Sequence, residues 1–307
     1  SRSLKAHILL LLITLIWGAT FVIIKNALTD VSPLFFNAVR MSLAAITLVL
    51  VFHRDLRKLT KSSLLYGVII GVLLWFGNEL QTVGLKYTTP SKSAFLTGMS
   101  VVLVPVFLAV FWRRKINLWS SVGVSLAFLG LYLLTVPSGG SGLNFKSMNH
   151  GDLLTLIAAI VFGFHINSWR QIAIIQTAVA ALLMILAVPV AEKAWVIWSP
   201  RVITGIFLTG FLSLALAFSV QAWAQQFTRA THTALIFSLE PVFASMTSFL
   251  FLGERLGGRA ALGGLLILAG VLISEEKGAT ETIAVAPDHA AVPQNPRRRN
   301  RDIAQNR

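Results

Sequence analysis

QTVGLKYTTPSKSAFL (residues 81–96) and QAWAQQFTRATHTALI (residues 221–236) stand 140 positions apart and align residue against residue. Gln81 meets Gln221, Thr88 meets Thr228 and Ala94 meets Ala234. The same offset goes on matching downstream: Val102 with Val242, Phe111 with Phe251, Gly123 with Gly263, Leu126 with Leu266 and Gly130 with Gly270. Upstream, LITLI (12–16) resembles LLTLI (153–157) at a shift of 141. Unrelated apolar segments do not match polar and glycine positions at one offset, so the chain is read as an internal duplication.

Each copy is apolar enough to live in lipid. Hydrophobic residues make up 55% of the 307 positions and charged residues 12%, with a mean hydropathy of +0.75. A soluble domain carries about 25% charged residues. A bilayer core needs about 20 helical residues per crossing, and candidate spans lie near 8–28, 33–52, 64–85, 91–112, 118–136, 152–168, 172–190, 202–222, 231–252 and 259–274. Strand alternation, which a lipid-facing barrel requires, is absent. The expected fold is an all-α polytopic membrane protein whose ten transmembrane helices form two five-helix repeats. Five is odd, so the second repeat enters the membrane from the opposite side, and the two are inverted. The expected organisation is a first repeat at 1–137, an external loop at 138–150, a second repeat at 151–277, and a disordered basic cytoplasmic tail at 278–307. The first apolar run continues past Trp17 to Ile24 without a small-residue cleavage site, unlike a signal peptide.

The net charge of +14 is distributed by topology. Arg54, Arg57, Lys58 and Lys61 follow span two, and Arg113, Arg114 and Lys115 follow span four. The positive-inside rule puts those connections in the cytoplasm together with both termini, as expected for a bacterial-type inner (plasma) membrane protein. The basic tail would touch anionic lipid headgroups; nucleic acid is not an expected partner. Gly123 and Gly130, like Gly263 and Gly270, are seven apart on one helix face. Such faces let helices pack closely, either as scaffold or as an interface with a second copy in a homodimer.

LIWGATFVIIKNAL (15–28), SPLFFNAVRMSLAA (32–45) and above all ALIFSLEPVFASMTSFLFLGERL (234–256) resemble the EamA domain of the drug/metabolite transporter superfamily. The resemblance covers about 7–136 and 152–275. It implies ten helices with both termini inside, and export of amino acids or other metabolites. It also implies a cavity walled by helices three, four, eight and nine, with five and ten at the periphery. The first repeat departs from the family in having Trp-Arg-Arg-Lys at 112–115, without the acidic partner that Glu254 supplies in the second. FGFHINSWRQIAIIQ (162–176) is also abbreviated, so span six must run on through Asn167 to Trp169 to cross.

Polar groups at membrane depth cost free energy and face a cavity or a partner. Helical spacing puts Thr14, Trp17, Gly18, Phe21 and Lys25 on one stripe of span one, and Trp75, Asn78, Glu79 and Thr82 on one stripe of span three. Span four offers Ser93, Thr97 and Ser100, span eight Gln221 and Trp223, and span nine Thr233, Phe237 and Glu240. Arg40 and Glu79 sit at similar depth below one surface and are expected to neutralise each other, as a structural pair or as a coupling pair. Glu240 precedes Pro241, which cannot donate a backbone hydrogen bond, so a local kink is expected. That glutamate either caps the freed amides or faces a central solute. The expected binding residues are Trp17, Phe21, Trp75, Asn78, Glu79, Ser93, Thr97, Gln221, Trp223, Thr233, Phe237 and Glu240.

No zinc helix, nucleophile elbow, phosphate loop or cysteine occurs. The chain is therefore expected to be neither an enzyme nor a direct user of ATP, and to hold no metal or cofactor. An alternating-access carrier of small neutral or zwitterionic solutes, with proton exchange as one coupling mode, fits the pattern best. A channel or a non-transporting receptor or scaffold is the alternative.

Overall fold

The structure, a computed structural model, describes residues 2–56, 59–113, 118–135, 148–164, 170–224, 226–228, 233 and 236–285. The first half holds α1 (Arg2–Ala27), α2 (Pro33–Leu56), α3 (Lys61–Tyr87), α4 (Pro90–Trp112) and α5 (Leu118–Thr135). The second holds α6 (His150–Phe164), α7 (Arg170–Ala191), α8 (Pro200–Phe207), a π-helical stretch Leu208–Leu216, α9 (Ala217–Ala224), α10 (Glu240–Leu252) and α11 (Gly258–Val285). Among the described residues there is no strand, and one isolated bridge joins Val31 to Val196. Among the described residues, six helices are long and apolar enough to cross a membrane: Arg2–Ala27, Pro33–Arg54, Lys61–Tyr87, Leu118–Thr135, Ala173–Ala191 and Pro200–Gln221. A backbone that bonds within its own helix is what hydrocarbon demands. The outer faces suit that medium: Leu50 is 69% exposed and Leu265 62%.

The helix ends follow from local chemistry. Thr60 caps α3 by accepting from Ser63 N at 3.1 Å, and Ser199 caps α8 ahead of Pro200. Gly253, at φ +65°, ends α10 in the left-handed conformation that glycine adopts without strain. The 192–199 connection docks on the turn before α2: Ser32 N donates to Trp195 O at 3.0 Å and Ile197 N to Asp30 O at 2.7 Å.

Two sequence expectations change, and a third is not tested. The span near 231–252 is not one helix, because a turn at Ser238–Leu239 interrupts it and α10 restarts at Glu240. Pro241 in the first turn of α10 explains the break, since it needs no amide partner there. The tail does not leave the helix at 278: α11 continues to Val285, through Ala and Glu that favour helix and up to the approach of Pro287. Span six ends at Phe164 as described, and its expected extension through Asn167 to Trp169 lies outside the described residues.

The helices contact one another in matched sets: α1 packs on α10 and α4 on α6, while α3 packs on α6 and α7, and the 208–224 segment on α1 and α2. The glycine faces of α5 and α11 meet each other. A Cβ built at Gly130 would lie 2.5 Å from Gly263 O, and one at Gly123 2.5 Å from Gly270 O. These faces are thus consumed within the chain as scaffold, and a second copy would have to use another surface. Gly130→Val should force α5 and α11 apart and lower thermal stability in detergent by about 1–3 kcal/mol, the usual cost of overpacking. A melting curve unchanged from wild type would show that the contact is not needed.

Candidate functional site

The interrupted helix creates a cavity. Its volume is about 160 Å³, and it lies where α4 crosses the start of α10, closed on a third side by Ile267, Leu268 and Val271 of α11. Thr97, Gly98 and Ser100 face it from α4, and Phe237, Ser238 and Glu240 from the other repeat. These residues are partners at the 140 offset: Thr97 with Phe237, Gly98 with Ser238, Ser100 with Glu240. The two segments that match at this offset therefore meet across one space, a hydroxyl on one side and a carboxylate on the other. Glu240 is half-buried, and its carboxylate has no hydrogen-bond partner among the described residues. Leu239 is the N-cap of α10 and makes no side-chain cap bond. The Glu240 side chain is thus not used as a helix cap. It stands in a lining that is otherwise mostly apolar.

Gly18 sets how closely α1 approaches this point. A Cβ there would lie 2.7 Å from Phe243 Cβ and 2.9 Å from Glu240 O. The residue before Gly18, Trp17, donates from Nε1 to Ser213 O at 2.8 Å. That carbonyl belongs to the π-helical stretch, where the helix is widened by one residue per turn. The indole edge also meets Phe237 (5.0 Å between centroids) and Phe218 (6.3 Å), both at steep angles favourable to aromatic pairs. Phe237 therefore joins the cavity to an aromatic plug. Further along this end, Trp223 tilts against Phe227 at 5.0 Å, with Lys5 5.8 Å above the Trp223 ring.

A second polar group lies between α2 and α3, away from the cavity. Asn37, fully buried, is its hub. It donates from Nδ2 to Glu79 Oε2 (2.9 Å) and accepts at Oδ1 from Arg40 Nε (2.9 Å) and Thr82 Oγ1 (3.0 Å). Arg40 Nη2 donates to Asn78 Oδ1 at 2.9 Å. Arg40 and Glu79 are both buried, yet they are relayed through Asn37 and not in direct contact; among the described residues Glu79 Oε1 and Trp75 Nε1 have no hydrogen-bond partner. The expected charge pair is thus bridged by Asn37, the amide three residues before Arg40.

The sequence profile of the EamA-like transporter family matches residues 4–136 and again 149–275. The chain belongs to this family. Relatives agree over most of their length. An uncharacterized transporter of Archaeoglobus fulgidus is 33% identical over 280 residues, covering 89% of this chain and 86% of its own. The Bacillus subtilis protein YoaV, also named an uncharacterized transporter, is 26% identical, covering 85% and 94%. The S-adenosylmethionine/S-adenosylhomocysteine transporter of Chlamydia muridarum is 26% identical, covering 89% and 92%. A solved crystal structure at 14% identity has a similar fold, with a TM-score of 0.59 over 90% of this chain and 99% of that one. The EamA-like chain is a multi-pass membrane transporter of small molecules, not an enzyme.

Of the residues singled out in this EamA-like transporter, Thr97, Phe237 and Glu240 line the cavity, and Trp17 packs on Phe237. Phe21 is instead a core residue, buried among Ile24, Ala27 and Leu85. Trp75 packs against the Met41–Leu74 core, and Asn78 and Glu79 belong to the Asn37 hub. Ser93 is fully buried with its hydroxyl 3.5 Å from Thr155 Oγ1. Gln221 is half-buried on α9, Trp223 lines a groove at its end, and Thr233 is buried. The resemblance implied a cavity walled by helices three, four, eight and nine; this cavity is lined by α4, by the start of α10 with the turn before it, and by α11. Sequence reasoning passed over Asn37, Gln81 and Ser238. Gln81 holds Thr97 in place, donating at 2.9 Å. Asn37 could have been found: it stands three before Arg40, on the same face of an apolar helix.

Proposed function

We propose that this transporter works by alternating access. Two inverted five-helix repeats rock about the α4–α10 crossing and export small solutes that carry an amino group, amino acids among them, from the cytoplasm. The observation that carries the reading is the unpartnered Glu240 carboxylate facing its repeat-mate Ser100 across one cavity. A desolvated carboxylate among apolar walls holds an ammonium group well and a polyanion badly. The matched helix contacts support the inverted repeat. The solutes named for the Chlamydia relative carry an α-amino-acid end, which is the same chemistry. A proton that takes the substrate's place on Glu240 would couple export to proton entry. The charge asymmetry of the loops supports cytoplasmic termini in an inner (plasma) membrane.

Counterflow of labelled amino acids into proteoliposomes tests this. Saturable flux accelerated by unlabelled solute on the far side is expected. Flux linear in concentration would indicate a channel, and binding without flux a receptor. Orientation is tested separately on the natural cysteine-free background. Arg54→Cys should react with an impermeant maleimide from the cytoplasmic side and Ser141→Cys from the external side. The reverse pattern would invert the topology.

A further inference from the structure

The charged groups that the cavity does not use gather at the α3–α4 turn. Lys25, near the end of α1, donates to the carbonyls of Leu85 (2.8 Å), Lys86 (3.0 Å) and Thr88 (2.7 Å). Asp152, fully buried in the first turn of α6, accepts from Thr88 Oγ1 and lies 3.7 Å from Lys92 Nζ. It gets there because Gly151 sits directly against the Gly84 carbonyl, where a side chain has no room. Glu254, just past α10, accepts from Ser91 Oγ at 2.8 Å, from Ser91 N at 3.3 Å and from Ser248 Oγ. Three separate elements, α1, α6 and the α10–α11 connection, therefore end on one short turn. Each tether is charge-assisted, and such bonds are about twice as strong as neutral ones.

Thr228, the repeat-mate of Thr88, has no hydrogen-bond partner for its hydroxyl among the described residues. The position matching Asp152 at the 141 offset is Leu11. Among the described residues at the Thr228 end, Trp223 packs on Phe227, with Arg2 6.0 Å above the Phe227 ring.

We propose that the α3–α4 turn is a gate held shut by the Lys25, Asp152 and Glu254 tethers, so that this end of the carrier opens by breaking charge-assisted bonds. The proposal rests on the alternating-access reading above. Lys25, Asp152 and Glu254 are then positioning residues that set which conformation is populated.

Ser93→Cys, one turn inside α4 and fully buried in this structure, is the reporter, read by the rate of reaction with an impermeant maleimide in proteoliposomes. Glu254→Gln and Lys25→Met in that background should each raise the rate about tenfold, the effect of losing one charge-assisted bond on a two-state population. Glu192→Gln is the control. Glu192 accepts from Leu34 N (3.1 Å) and Phe35 N (3.2 Å) at the same end but does not touch the turn. It should lower the melting temperature and leave the labelling rate alone. Should Glu254→Gln not fold, Ser91→Ala removes the same tether from its other partner. Unchanged labelling in the tether variants, or an equal rise with Glu192→Gln, would overturn the gate. Wild-type flux measured in the same vesicles keeps the two ideas apart. Non-saturable flux refutes alternating access, while saturable flux with unchanged labelling refutes the gate alone.

Discussion

Glu240→Gln is expected to reduce flux of an amino-bearing solute about a hundredfold at subsaturating concentration while the protein still folds. The magnitude is that of removing one partner from a desolvated charge pair, about 2–5 kcal/mol. The substitution keeps the shape of the side chain and removes its charge. Because Leu239 caps α10 without a side-chain bond and the Glu240 carboxylate accepts none, stability should hardly change. Any dependence of exchange on a pH gradient should vanish with the charge, since glutamine cannot trade a proton for the solute. Ser100→Ala, on the facing repeat, should weaken binding by a smaller amount, about 0.5–1.5 kcal/mol for one neutral hydrogen bond. Near-normal, pH-dependent counterflow from Glu240→Gln would remove this residue from the mechanism.

The second large effect concerns stability. Arg40→Ala should cost about 3–5 kcal/mol, the penalty for leaving a buried charge cluster uncompensated. Asn78 Oδ1 loses its donor, Asn37 Oδ1 is left with Thr82 Oγ1 alone, and the Glu79 carboxylate keeps its bond from Asn37 but loses the cation behind it. Glu79→Ala should destabilise for the same reason, and the double variant should recover part of the loss. Because the coupling runs through an amide, it should shrink when Asn37 is replaced by alanine. A double-mutant cycle on thermal or denaturant unfolding, run with and without Asn37, reads this directly. Simple additivity of the two single effects would show that Arg40 and Glu79 do not communicate.

The glycine spacings show how far local sequence reaches. Seven-residue glycine spacing in α5 and α11 announced faces made for close packing, but not against what. A helix face looks the same whether its mate lies in the same chain or in a second copy, and the contact of Gly123 with Gly270 O decided it. Likewise Phe21 and Thr14 share a stripe with Trp17, since periodicity assigns a face. Whether that face meets core or cavity depends on the neighbouring helix, and here Phe21 is buried among Ile24, Ala27 and Leu85. The Asn37 relay was hidden for a related reason: the pairing of Arg40 with Glu79 needs the depth and rotation of two helices, which sequence spacing constrains to several ångströms but not to one hydrogen bond.

What the sequence determined by itself follows from the one-dimensional demands of lipid and helix. Apolar runs of membrane length and a constant 140-residue offset indicate a helical membrane chain built by duplication. The Glu-Pro-Val-Phe and Gly-Glu-Arg-Leu stretches indicate its family. The tertiary structure alone decided which residues share a space. Pro241 could break a helix anywhere along α10's approach. Only the crossing of α4, with α1 brought close at Gly18, makes that break a cavity in which Glu240 confronts its own repeat-mate Ser100. Contacts between residues far apart in the chain depend on packing geometry, and no local pattern encodes that.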